Sequence, residues 1–284
     1  MSIEDIVLSR DRRGISKLRD RVPADFCDRA AALVVSRPGT AIIVTGFYIL
    51  AAGAPETDGP PGAVAMGDAL QSLGYEVVYV TDRYHVPMIS ALSSSESRVI
   101  DFPIADDEAS KKFAEELLTR LAPSVLISIE RCGLTAEGVY RNMHGDDISQ
   151  FTARLDYLFS GHSSTVGIGD GGNEIGMGSL QSAIIEVPTL VKEPTVTSTT
   201  ELILCSVSNW GGYGLVASLS MQTGRNLLPS VEDERELVKR TTDLGAVDGM
   251  SRKQEYRVDG FTLEENSEVV AELHGVLAAA GISA

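Results

Sequence analysis

Ten consecutive residues, Gly169-Asp170-Gly171-Gly172-Asn173-Glu174-Ile175-Gly176-Met177-Gly178, concentrate the chemistry of this chain. Five glycines surround two carboxylates and one carboxamide. Glycine lets backbone come close to a ligand while the acids point at it. Acids beside a glycine-rich turn suit a metal cation or an amine and repel a bare phosphate. Gly167, Gly169 and Gly172 also match GxGxxG, with Glu193 about twenty residues onward. Asp170 would then face the pyrophosphate, which weighs against a dinucleotide. A purely structural reading stands beside these. Asn173 fits a helix N-cap, Glu174 a first-turn acid, and Gly176 and Gly178 close helix–sheet packing.

Short β-branched runs alternate with amphipathic stretches on both sides of this loop. Strands are expected over 40–45, 75–80, 97–100, 124–129, 165–168 and 201–207. Helices are expected over 23–36, 62–74, 84–92, 106–121, 148–159, 173–187 and 211–223. The alternation predicts an α/β fold with a mostly parallel, doubly wound (Rossmann-like) sheet. The apolar strands lack clean alternation, as expected of strands buried on both faces. After Pro229 two further helices, 231–244 and 262–280, flank a polar stretch. The organisation expected is one α/β domain over 1–284, with a core at about 20–228 and a C-terminal helical appendage at about 229–284.

In an open α/β sheet, ligands sit beyond the carboxyl ends of the strands. The ends expected here bring Glu56, Asp58, Asp82, Glu130, Asp170 and Glu174 toward one edge. Such a cluster repels itself unless it is protonated, hydrogen-bonded or bridged by a cation. Mg²⁺ or Mn²⁺ is the hard metal that oxygen ligands favour. Arg131, next to Glu130, offers a cation at the same edge, and Asn209-Trp210 offers an amide and an aromatic wall. The bland alternatives are a solvent loop for 56–62, a turn cap for Asp82, a surface pair for Glu130-Arg131 and a core position for Trp210.

Other classes are disfavoured. A net charge of −16 argues against nucleic acid or an anionic membrane as partner. No apolar run reaches the ~18 residues of a spanning helix. The charged N-terminus, 1–13, carries no apolar signal segment, and Cys27, Cys132 and Cys205 form no CxxC, so a cytoplasmic setting is expected. The four histidines show no zinc spacing and no GxSxG occurs. Cys132 lacks a local base, leaving a thiol nucleophile a minor option.

The ordered set Thr45-Gly46-Phe47, Glu56-Thr-Asp-Gly-Pro-Pro-Gly62, Gly169–Gly178 and Ser208-Asn-Trp-Gly-Gly212 resembles the D-glutamate cyclase family, and more narrowly the C-terminal domain of its members. The resemblance runs from about residue 20 to about residue 280. Longer animal members carry an extra N-terminal domain for which this chain has no room. The activity implied is a carbon–oxygen hydro-lyase reaction, dehydration of D-glutamate to 5-oxo-D-proline, with a glutamate-like amino acid as small-molecule partner. No organic cofactor is expected; a divalent metal would assist. The residues themselves suggest the roles. Asp170, Asp58 and Glu130 are the candidate catalytic groups. Glu56, Asp58, Asp82, Asp170 and Glu174 are the candidate metal ligands. Gly171 and Gly172, as amides at a helix N-terminus, with Asn173, Arg131, Asn209 and Trp210, are the candidate substrate contacts. Two other classes remain open: a metal-dependent phosphohydrolase or nucleotide enzyme on the same acids, and a non-catalytic amino-acid or metal binder. The C-terminal helices offer a surface for homo-oligomers.

Overall fold

Alternate residues of a strand point to opposite faces, and here both faces are covered. The computed structural model describes residues 1–283. Its sheet has six strands: β1 (Thr40–Thr45), β2 (Glu76–Thr81), β3 (Arg98–Asp101), β4 (Val125–Ile129), β5 (Thr165–Gly169) and β6 (Glu201–Leu204). Every neighbouring pair is parallel and the order is β3-β2-β1-β4-β5-β6. This is the doubly wound arrangement the alternation predicts. Ile42, Val44, Val78, Val80 and Leu126 pack on one side with Phe102, Leu117 and Leu158. Ala41, Ile43, Val77, Tyr79 and Ile127 pack on the other within the larger core.

Ten helices surround the sheet among the described residues: α1 (Ile3–Val7), α2 (Phe26–Val35), α3 (Pro60–Ser72), α4 (Val86–Leu92), α5 (Asp107–Leu121), α6 (Asp156–Phe159), α7 (Gln181–Ile184), α8 (Ser208–Thr223), α9 (Val231–Asp243) and α10 (Leu263–Ala279). Local chemistry sets several of their starts. Asp106 caps α5 by accepting from Ala109 N at 2.9 Å. Thr262 and Glu265 form a reciprocal capping box on α10. α8 is buried from Ser208 to Ser220 and shows no polar face, as befits a helix enclosed on all sides.

The C-terminal segment is built into this core. Val238 of α9 and Val269, Val270, Leu273 and Leu277 of α10 share the larger cluster with α8. Trp210 on α8 donates from Nε1 to Asn266 Oδ1 at 2.8 Å and lies 4.8 Å from the Phe261 ring.

Three expectations change. Residues 173–187 are not one helix: 173–177 run as a loop, followed by a 3-10 turn at Gly178–Leu180 and the four-residue α7. Residues 148–159 form a 3-10 turn and the short α6, whose first residue, Asp156, accepts from Leu134 N at 2.9 Å and from Tyr140 Oη at 2.6 Å. β6 stops at Leu204, since Ser206 N turns away to Val7 O at 2.9 Å.

Candidate functional site

The strand order reverses between β1 and β4, and this switch point is where doubly wound sheets bind ligands. Glu130 follows β4 there. Its φ is +43°, a left-handed conformation that costs energy in a residue with a Cβ and persists only where the surroundings impose it. Asp170 follows β5. Asp58 comes from the loop before α3 and caps α8, its two oxygens accepting from Ser208 N and Asn209 N at 2.8 Å each.

The glycine loop after β5 makes an anion nest, and the protein fills that nest itself. Glu174 folds back so that Oε1 accepts from Gly171 N and Oε2 from Gly172 N, both at 2.8 Å. Gly172 adopts φ +103°, open to glycine and strained for other residues. The expectation that Gly171 and Gly172 stand at a helix N-terminus facing a substrate carboxylate is therefore corrected. Their amides are taken, and no helix starts there. A pyrophosphate would compete with Glu174 for the same amides.

Six buried acids converge on this edge: Glu56, Asp58, Glu130, Asp170, Glu174 and Asp259. One cation reaches into them. Arg13, whose side chain is 18% exposed, bridges Asp170 Oδ1 and Asp259 Oδ1, the latter at 2.6 Å. One guanidinium cannot balance six carboxylates, so some hold protons or share a further cation. Burial, reinforced by Glu174 and Asp58, pushes the Glu130 carboxyl well above its ordinary range. Burial with Asp259, Glu130 and Asp58 does the same to Glu56. Asp170 is raised by burial despite the opposing pull of Arg13. Asp58 is pushed up to about 7 by burial and by Asp259, against the pull of the amides it caps. The same acids hold Arg13 firmly in its charged form, overcoming burial.

The donor set fits a hard divalent cation. Oxygens of Asp58, Asp170 and Asp259, and separately of Glu130, Asp170 and Glu174, lie within 4.8 Å of one another, the span of an oxygen coordination shell. Asp170 Oδ2 and Asp259 Oδ2 are buried without a hydrogen-bond partner.

A cavity of about 440 Å³ opens above the cluster. Glu56, Glu130, Asn173 and Glu174 line it, with Phe47 and Tyr48 as aromatic wall. Asp170, Asp58 and Asp259 are not among its lining residues.

Other residues expected at the site are engaged elsewhere. Arg131 is buried; its Nη1 meets Asp82 Oδ2 at 2.7 Å and Gly46 O at 3.0 Å, and its Nη2 meets Ala153 O at 2.9 Å. It is not free to bind a substrate carboxylate. Asp82 belongs to this pair and to His85, at 2.9 Å, and not to the acid cluster. Burial works to raise its carboxyl, but Arg131 and His85 outweigh that and hold it well below the usual range. Asn209 Oδ1 accepts from Gly59 N and Gly62 N, tying the 56–62 loop to α8. Trp210 is fully buried against α10 and does not line the cavity. Cys132 is buried, which pushes its thiol up and removes it as a nucleophile.

Sequence reasoning missed Arg13 and Asp259. Both lie outside the strand ends, one near each terminus. The only signals were an arginine run, Arg10-Asp-Arg-Arg13, in an acidic chain, and the Asp259-Gly260 turn pair.

Among proteins of known sequence, human D-glutamate cyclase, mitochondrial, is 32% identical over 211 residues, covering 66% of this chain and 34% of that protein. The chain thus spans about a third of that relative's length. Among solved structures, a dehydrogenase/reductase from Sinorhizobium meliloti 1021 aligns over 86% of this chain and 90% of its own at 15% identity. Its TM-score of 0.31 is too low to support an argument. The profile of the family described as D-glutamate cyclase-like, C-terminal, matches residues 3–274, and the chain belongs to that family.

Proposed function

We propose that the pocket closes D-glutamate on itself, with loss of water, to give 5-oxo-D-proline. The observation that carries this reading is the pocket floor, where the buried carboxyls of Glu130 and Glu56, both pushed well above their ordinary range by burial and by neighbouring acids, stand beside Glu174, whose oxygens accept from the Gly171 and Gly172 amides. The human relative's name and the family description support it.

The chemistry explains why such a floor is useful. The α-nitrogen bonds to the γ-carboxyl carbon, and one γ-oxygen leaves as water. The ammonium gives up two protons and the departing oxygen takes two. The site therefore relays protons and neither gains nor loses any. An ionised γ-carboxylate resists attack until its charge is neutralised. Glu130, at the floor, can protonate it, and the resulting carboxylate can accept a proton from nitrogen. Asp58, with its carboxyl at about 7, and Asp170 lie behind the floor and can replenish that proton near neutral pH. Holding the chain folded in the pocket makes the attack intramolecular, which by itself removes much of the barrier. Mg²⁺ or Mn²⁺, held by Asp170 with Glu130 and Glu174, would polarise the γ-carboxyl as a Lewis acid in place of the proton from Glu130.

The test is to incubate the purified chain with D- or L-glutamate, with each metal or EDTA, and follow 5-oxoproline by chiral chromatography. A phosphatase panel run in parallel separates the phosphohydrolase class. Phosphate release without 5-oxoproline would overturn the proposal.

A further inference from the structure

We propose that Arg252 holds the substrate's α-carboxylate at the mouth of the pocket; this assignment rests on the cyclase reading above. Three arginines line the cavity: Arg12, Arg13 and Arg252. Arg13 is spent on Asp170 and Asp259. Arg12 lies 3.6 Å over the Phe261 ring and 3.6 Å from Glu265. Arg252 is exposed and has no carboxylate partner among the described residues. Its side chain makes one hydrogen bond, from Nη2 to His144 Nε2 at 2.9 Å. A free guanidinium over an acid-floored pocket is what remains for an anionic group of the ligand.

The backbone displays this arginine deliberately. Arg252 has φ +60°, a conformation that an ordinary side chain takes only when its surroundings impose it. Asp248 imposes it. Asp248 O accepts from Arg252 N, and its buried carboxylate accepts from Ser251 N and Gly260 N, all at 2.7 Å. The turn is stitched to the floor. Val247 N donates to Pro55 O and Thr57 N to Val247 O, each at 2.9 Å. Gly249 lies against Glu56, so that a Cβ there would collide with Glu56 Oε1. One short segment thus touches the acid floor at Gly249 and carries a cation at Arg252.

The two carboxylates of glutamate have different needs. The γ-carboxyl must lose its charge and belongs beside the buried acids of the floor. The α-carboxylate stays ionised in substrate, transition state and product. It needs a cation that takes no part in the proton relay, and a guanidinium fork matches its two oxygens. Binding that is equal in ground and transition states acts on KM more than on kcat.

The test uses the full chain, its Arg252→Ala and Arg252→Lys variants, and two ligands, D-glutamate and its α-carboxamide. Affinities are read by calorimetry and turnover by 5-oxoproline. Arg252→Ala should weaken D-glutamate about 10- to 100-fold, the range for hydrogen bonds to charged groups. Arg252→Lys should recover part of the loss. The α-carboxamide should bind wild type and Arg252→Ala alike, and KM should rise more than kcat falls. Wild type binding D-glutamate no better than Arg252→Ala would overturn the proposal, whether or not turnover occurs. So would an equal loss for both ligands. Arg252-dependent binding without any 5-oxoproline would instead sink the cyclase reading and leave the carboxylate subsite standing.

Discussion

Replacing Glu130 by Gln should make the metal-free protein more stable and less active. Glu130 is 5% exposed, and its Oε2 accepts from Ser208 Oγ at 2.6 Å. Gln keeps the size and an oxygen for that bond, and removes only the ionisable group. The wild-type carboxyl is raised by burial, then by Glu174 and Asp58, from an ordinary value of 4.5. The folded protein therefore keeps a proton that the unfolded chain releases above about 4.5. Wild-type stability falls as pH climbs through that window, by up to ~1.4 kcal/mol per pH unit for one proton. The variant lacks this fall, so its advantage is near zero at pH 4 and grows toward alkaline pH. Neutral replacement of a buried, poorly compensated charge predicts a gain of about 1–3 kcal/mol at pH 8, a few degrees in Tm. Urea unfolding at pH 5 and pH 8 in EDTA measures it. Saturating Mn²⁺ should reverse the sign, because Gln is a weaker metal ligand than a carboxylate. Formation of 5-oxoproline should drop by about 100-fold or more. A variant less stable than wild type at pH 8 in EDTA, or a difference that ignores pH, would refute the reasoning.

Arg131→Ala should cost about 3–5 kcal/mol in urea unfolding, because it strands Asp82 in the interior, and joint replacement of both residues by neutral ones should recover much of that loss. Trp210→Phe should cost about 1–3 kcal/mol by leaving Asn266 Oδ1 without its donor, with KM unchanged, as expected of a residue outside the pocket. Asp170→Asn should abolish any rise in Tm given by Mg²⁺ or Mn²⁺, since both carboxylate groupings include Asp170. A Tm rise retained in full would show that the metal sits elsewhere.

The sheet was legible because parallel strands buried on both faces write themselves as apolar runs: β1 lies where Thr40-Ala-Ile-Ile-Val-Thr45 predicted it. Chain order and the class rule then brought Glu56, Asp58, Glu130, Asp170 and Glu174 to one edge. What the sequence could not reveal was long-range pairing. Asn173 and Glu174 look like the start of a helix, yet Glu174 caps the loop behind it. Glu130 and Arg131 are adjacent in sequence but turn apart, one to the pocket and one to Asp82. Asp82 at a strand end looked equivalent to Asp170, but Asp82 is paired with the buried Arg131 and hydrogen-bonded to His85, whereas Asp170 sits among the other acids. Arg13 and Asp259 meet at the cluster from opposite ends of the chain, a juxtaposition that no local spacing encodes.

Isotope tracing of a single reaction speaks to the proposed chemistry most plainly. Incubate the purified chain with D-glutamate labelled with ¹⁸O in both γ-carboxyl oxygens, with Mg²⁺ or Mn²⁺, and follow 5-oxo-D-proline by mass spectrometry. Intramolecular dehydration predicts 5-oxo-D-proline that retains one ¹⁸O, with the other released as labelled water. A folded, metal-supplied protein that binds D-glutamate and yields no 5-oxoproline would contradict it.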